Sequence, residues 1–170
     1  MTVAELLTDA LSRIRGVVHE VAEGLTADQL AYRPQPSANS IGWLIWHLTR
    51  VQDDHVSDVA GTDQAWTADG WMKRFGLPFE AGATGWGHSA DEAGQVIVAS
   101  ADLLTGYYDA VHDRSVGFVR TLADADLDRI VDNRWDPPVT LGVRLVSVID
   151  DDAQHAGQAA YLRGLVSGRY

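Results

Sequence analysis

Apolar residues recur every three or four positions through Val3, Leu7, Ala10, Ile14, Val17 and Val21, the spacing of one buried stripe on a long first helix. Gly24 is placed to end it as a C-terminal cap. Thr26-Ala-Asp-Gln29 is a capping box that opens a short helix containing Leu30, after which Pro34 and Pro36 force extended chain. Asn39 or Ser40 can cap a second long helix, whose stripe runs through Ile41, Leu44, Leu48, Val51 and Val56 to about Ala60. Ser89-Ala-Asp-Glu92 is a second capping box. It predicts a third helix of more than about 20 residues, striped by Ala93, Val96, Ile97, Leu104, Tyr107, Val111 and Phe118 and ending near Thr121. Pro137 and Pro138 precede a fourth helix from about 139 to 166, and no segment carries a convincing strand pattern.

Residues 61–88 break the helical period. They hold six of the sixteen glycines and three of the six tryptophans, Trp66, Trp71 and Trp86. A loop longer than about 12–15 residues is functional or disordered more often than not, and so many large aromatics point to an ordered excursion. It either walls a pocket or covers exposed core. Leu25-Thr-Ala-Asp-Gln-Leu30 is echoed by Leu122-Ala-Asp-Ala-Asp-Leu127, each after a long helix and before a proline-containing stretch and a histidine-bearing helix. The expected fold is an all-α four-helix bundle, one domain spanning 1–170, with a long ordered connection between helices 2 and 3.

Composition narrows the partners. Hydrophobic residues make up 46% and charged residues 22% of the chain, enough apolar material for a packed core. Thirteen basic against 24 acidic residues give a formal charge of −11, which repels phosphate backbones and anionic lipid, so neither nucleic acid nor a membrane is an expected partner. No apolar run approaches the roughly 20 residues of a spanning helix, and the start of the chain lacks the pattern of a signal peptide. Cytoplasm is the default location. With no cysteine, disulfides, thiolate metal sites and a cysteine nucleophile are excluded.

The fourth helix carries the chemistry. Its apolar stripe reads Leu141, Leu145, Val148, then Asp151, Asp152 and His155, then Ala159 and Leu162. A carboxylate in such a stripe is costly unless paired or bound to metal. Asp151 and His155 are four apart and leave the helix on one side, as two metal ligands do, although about one acid–histidine pair at this interval is expected by chance. A core hydrogen-bonded pair explains them equally. His47 lies in the strongly apolar Ile41-Gly-Trp-Leu-Ile-Trp-His-Leu48, where a satisfied core histidine and a ligand both fit. If the second and fourth helices face each other, His47, Asp151 and His155 form a three-ligand site with open positions. His55, two turns on, is a reserve ligand or a group that supports the ligands from behind. His19 with Glu23 and His88 with Glu92 are adequately explained by ion pairing or capping, and His112 has no recognisable partner.

Three segments together resemble the DinB-like superfamily of metal-binding bundles, in its mycothiol-transferase-like branch. They are Asn39-Ser-Ile-Gly-Trp-Leu-Ile-Trp-His47-Leu, Arg74-Phe-Gly-Leu-Pro78 with Thr84-Gly-Trp-Gly-His88, and Asp151-Asp-Ala-Gln-His155-Ala-Gly-Gln-Ala-Ala-Tyr-Leu-Arg163-Gly. The resemblance covers essentially the whole chain. It implies a four-helix bundle and a divalent metal, zinc or nickel, held by the positions matching His47, Asp151 and His155. One departure is aspartate at 151, where the family typically has histidine or glutamate. The second domain of the related maleylpyruvate isomerase is absent.

The expected function is a metal-dependent S-transferase that joins a low-molecular-weight, mycothiol-type thiol to a small electrophile, as monomer or homodimer. A cysteine-free chain suits this, because the cosubstrate brings the sulfur. The alternatives are metal-assisted hydrolysis on the same site, or a non-catalytic bundle that binds a small ligand or dimerises, with the triad as a buried polar network.

Overall fold

The computed structural model describes residues 1–167. In chain order its elements are α1 (Val3–Ala22), α2 (Ala27–Ala31), α3 (Ile41–Ala60), α4 (Ala65–Ala68), α5 (Trp71–Phe75), α6 (Ala90–Gly94), α7 (Ala101–Val119), a 3₁₀ turn (Asp124–Asp128), β1 (Ile130–Asp132), β2 (Val139–Thr140) and α8 (Leu141–Val166). The long helices α1, α3, α7 and α8 form the bundle, with α3 and α1 each packed against both α7 and α8. The all-α architecture expected from the apolar period is present. No helix among the described residues is long and apolar enough to cross a membrane.

Each long helix starts at a hydroxyl cap. Thr2, Ser40, Ser100 and Thr140 accept the N–H of Glu5, Trp43, Leu103 and Val143 at 3.1–3.3 Å, satisfying donors that the helix itself leaves free. At the start of α1 the Thr2 N–H also donates to Glu5 Oε2 at 2.7 Å, completing a capping box.

The third helix differs from expectation. The capping box at Ser89 is real, but it opens only the five-residue α6, and the long helix begins eleven residues later at Ala101. Val96, Ile97 and Val98 are three β-branched residues in a row, stiff at χ1 and poor helix formers. Val96 and Val98 are buried while Ile97 is 58% exposed, so this stretch alternates in and out instead of following a helical stripe. A second difference is a small antiparallel hairpin in which Ile130 pairs with Thr140 and Asp132 with Val139, so that Val139 is a strand residue and α8 starts at Leu141.

Helix α3 is the centre of the molecule: every residue from 41 to 50 is buried. A helix covered on all sides must be apolar all round, which explains the sequence Ile-Gly-Trp-Leu-Ile-Trp. Gly42 lets the backbone of α2 come close to α3. A Cβ there would stand 3.2 Å from the Leu30 carbonyl oxygen and 3.3 Å from Val98. Residues 61–88, with α4 and α5, form a strap over α3. Trp66 is buried and Trp71 packs against the same core, so two of its three tryptophans cover apolar interior.

Candidate metal centre

Helices α3 and α8 bring His47, Asp151 and His155 together. Each offers one donor atom, and the three atoms lie within 4.8 Å of one another. The His47 and His155 rings are 4.8 Å apart between centroids, and His155 Nε2 is 3.6 Å from Asp151 Oδ1, too long for a hydrogen bond. His47 is buried, whereas Asp151 and His155 are half-buried.

The strap fixes the orientation of His47. Its Nδ1–H donates to the Thr84 carbonyl at 2.6 Å, which assigns the proton to Nδ1 and leaves the Nε2 lone pair available. Trp43 stacks on the imidazole at 4.5 Å and 21°. The Trp43 indole N–H in turn donates to His88 Nδ1 at 3.3 Å, and His88 packs against Phe79 and Trp46 at 4.6 and 5.9 Å. Residue 85 has φ +93°, and a Cβ there would lie 2.8 Å from His47 Nδ1, so only glycine lets the strap approach this closely. On α8, His155 Nδ1 donates to Gln158 Oε1 at 3.3 Å, turning Nε2 toward the triad.

Electrostatics match this arrangement. Burial, the largest effect, holds the His47 imidazole below its ordinary value and therefore neutral near pH 7. The Asp151 carboxylate raises His155 against the opposing effect of burial, and His155 and His47 lower Asp151 although burial works the other way. Asp151 Oδ2 is buried with no hydrogen-bond partner. A neutral imidazole, a second imidazole and a carboxylate with an orphaned oxygen form a donor set that fits zinc or nickel. Tetrahedral ligand atoms 2.0–2.2 Å from one ion stand about 3.3–3.6 Å apart, so donors spread over up to 4.8 Å would close by roughly an ångström to hold it. Asp152 turns away into the core. Both its oxygens are buried without a partner, and burial, then the Asp151 charge, pushes its carboxyl well above the ordinary range.

Two buried ionic residues hold the strap in place. Arg50, fully buried on α3, donates to the carbonyls of Ala81 and Ala83 at 3.1 and 3.0 Å and to Gln64 Oε1 at 2.9 Å. Asp53 accepts the N–H groups of Ala65 and Trp66 at 2.9 and 2.8 Å and the Tyr107 hydroxyl at 2.8 Å. Beyond this anchor the strap does wall a pocket. Ala81, Gly82 and Gln64 line an open cavity of about 830 Å³ with Asp54, His55, Asp58, Asp63, Asn133 and Arg144. His55 is eight residues after His47 on α3, and Arg144 seven before Asp151 on α8. The cleft therefore lies roughly 10–12 Å from the triad, measured along α3 and α8.

The remaining histidines have other work. His55 Nδ1 accepts from Arg144 at 2.8 Å, burial and then that guanidinium lower its pKa, and it lies outside the group of three converging donors. His19 meets Asp109 at 2.8 Å, tying α1 to α7 instead of pairing with Glu23. His88 serves Trp43, while Glu92 closes the capping box with Ser89. His112 lies beside Tyr108 and Asp113. The hydrophobic pattern does not signal the supporting shell of Trp43, Thr84, Gly85 and His88, since those contacts join residues 37–45 positions apart; these residues stand out only within the segments that carry the family resemblance. Arg50 and Asp53 carry only a faint signal, an i, i+3 charged pair where the apolar first half of α3 gives way to polar residues.

Fold and triad together define a DinB-like helical bundle. The chain matches the family described as mycothiol-S-transferase over residues 6–168, and it belongs to that family. A solved structure, that of a conserved protein of locus from Enterococcus faecalis, is 34% identical, with a TM-score of 0.92 over 99% of both chains. No curated protein matches.

Proposed function

We propose that the protein is a divalent-metal-dependent S-transferase in which His47, Asp151 and His155 hold zinc or nickel and a mycothiol-type thiol is joined to a small electrophile. The observation that carries this reading is the convergence of the three donors with the orphaned Asp151 oxygen, inside a chain of the mycothiol-S-transferase family. When bound at three protein ligands, a divalent ion leaves an open position and lowers the pKa of an incoming thiol, supplying thiolate at neutral pH. The protein's own groups set the stage. Thr84 and Gln158 hold each imidazole in the tautomer that presents Nε2, and Trp43 keeps the His47 ring in plane. The cleft beside His55 and Arg144 offers carboxylates, amides and guanidinium to the hydroxyl-rich body of the thiol, whose sulfur would have to reach the triad from there. Sulfur forms a bond to the electrophilic carbon, the leaving group departs with the electron pair of the broken bond, and the thiol proton passes to solvent.

Purification without a histidine tag from zinc- or nickel-supplemented medium tests the reading. About one equivalent of metal per chain is expected, with electrophile turnover that requires added thiol. Less than about a tenth of an equivalent, with no thiol-dependent turnover, would leave a ligand-binding or dimerising bundle. Turnover without thiol would mean hydrolysis.

A further inference from the structure

Leu44 and Leu162, both buried, line an open cavity of about 440 Å³ between α3 and α8, with Asn39, Gly157, Gln158 and Tyr161 around it. It begins one helical turn from the triad on each helix, since Leu44 is three residues before His47 and Gln158 three after His155. The polar cleft lies the other way, at His55 and Arg144, so the three donors stand between two cavities of opposite character. Four aspartates and two arginines border that cleft. No charged side chain borders this cavity, in a chain with 24 acidic and 13 basic residues. An ion entering it would lose water and gain no counter-charge. Its size and lining are those of a small-molecule site: a few hundred Å³, mostly apolar, with a small number of polar groups to fix orientation.

Two residues give the cavity its character. Gln158 Oε1 accepts from His155 Nδ1 at 3.3 Å, so the oxygen end of this amide is taken and its NH2 end is left to donate. Gly157 sits in the middle of α8, where glycine weakens a helix. Packing gives no reason for it: a Cβ at 157 would meet no atom within 4 Å, whereas one at Gly142 on the same helix would meet Leu127 at 3.4 Å. Its effect is to leave the cavity open. We infer that this cavity binds a small, uncharged, largely apolar molecule carrying one hydrogen-bond acceptor, such as a ketone or nitro group. Leu44, Leu162 and the Tyr161 ring take the apolar body, and the Gln158 amide N–H takes the acceptor. Gln158 thereby serves two sites, aiming His155 with its oxygen and holding the ligand with its nitrogen. The inference does not rest on the S-transferase reading.

The test titrates acetophenone, a neutral ketone, into the full chain and follows methyl signals by NMR. The Leu44 and Leu162 methyl signals are expected to shift saturably, with a Kd of about 1 mM, the strength so small a molecule supports. Benzoate, of similar size but charged, should bind at least about tenfold more weakly. Gly157→Leu fills the cavity without meeting a neighbour and should abolish the acetophenone shifts, with thermal stability no lower than the parent's because leucine is the better helix former. Gln158→Glu keeps an oxygen for His155 but loses the donor, and should weaken acetophenone at least about fivefold. No saturable shift in the parent, or shifts that persist in Gly157→Leu, would overturn the proposal. So would benzoate binding as tightly as acetophenone, or unchanged acetophenone affinity in Gln158→Glu. A chain with no metal and no thiol-dependent turnover whose Leu44 and Leu162 signals still respond keeps the cavity and loses the transferase reading. Normal turnover with no response does the reverse.

Discussion

His47 and Gly85 are held so close that residue 85 can carry no side chain without displacing the imidazole. In Gly85→Ala the new methyl would sit 2.8 Å from His47 Nδ1, 3.0 Å from Trp46 and 3.2 Å from Trp43, at φ +93°. None of the three rings can retreat into the packed core, so strain of about 1–3 kcal/mol is expected. It should appear in thermal melts together with reduced metal content, because the lost contact is the one that aims His47. The three proposed ligands make a sharper set. His47→Ala, Asp151→Ala and His155→Ala should each remove most bound metal, measured by atomic emission on dialysed protein. His112→Ala should leave metal content as it was, since His112 faces Tyr108 and Asp113. These assignments differ in how far the chain pattern reaches them. The interrupted stripe of α8 marks out Asp151 and His155, and His47 stands out in its apolar segment. The hydrogen bonds that orient them leave no periodic trace, because their partners are backbone carbonyls or loop residues dozens of positions away.

At the scale of elements, caps and stripes carry the information. Ser40 is buried at the mouth of the central helix and accepts from Trp43 N at 3.1 Å. Removing that acceptor strands a buried N–H, so Ser40→Ala is expected to cost about 1–2 kcal/mol, a fall in Tm of a few degrees for a domain this size. An exposed cap such as Ser100, which bonds Leu103 N at 3.2 Å, should cost less in the same experiment because water replaces the hydroxyl. Four long stripes are readable because each keeps its period for five turns or so. The split between α6 and α7 is misread as one helix because Val96 and Ile97 fall by coincidence on the continuing stripe. Only the β-branched run of Val96, Ile97 and Val98 argues against it. The hairpin is invisible for a different reason: strands of three and two residues are too short to show alternation. The faint echo between 25–30 and 122–127 has a local meaning. Each segment turns through a short helix whose first backbone N–H is bonded by an acidic or amide side chain three residues on: Thr26 by Gln29 at 3.0 Å and Ala123 by Asp126 at 2.7 Å.

For the whole molecule, two carboxylates tie elements together and make stability depend on pH. Asp132 on β1 accepts from Arg134 Nη2 at 2.8 Å, from the Arg134 backbone N–H at 2.9 Å and from Arg144 on α8 at 3.2 Å; Arg144 also reaches His55 on α3 at 2.8 Å. The Arg134 bonds, side chain first and then backbone, with Arg144 behind them, hold Asp132 well below the ordinary carboxylate range. Asp109 joins α7 to α1 through Arg15 at 2.7 Å and His19 at 2.8 Å. Burial would raise it, but these two partners bring it below its ordinary value. A carboxylate whose pKa is lower folded than unfolded contributes stability above its unfolded pKa of about 3.9, and that stability is lost as pH falls through the folded value. Against this stands the net charge of −11, whose self-repulsion acid relieves. Screening decides between them: at about 0.15 M salt the Debye length is roughly 8 Å, which damps the diffuse repulsion more than contacts under 3 Å. Metal-free protein in 0.15 M salt should therefore lose stability in urea melts as pH drops below about 4. Asp132→Asn should be less stable than the parent at pH 7 and lose less between pH 5 and 2, so that the two curves converge in acid. Parallel curves for parent and variant across that range would remove Asp132 from the acid transition and leave the hairpin joined to α8 by chain continuity, packing and the Leu141 N–H bond to the Arg129 carbonyl.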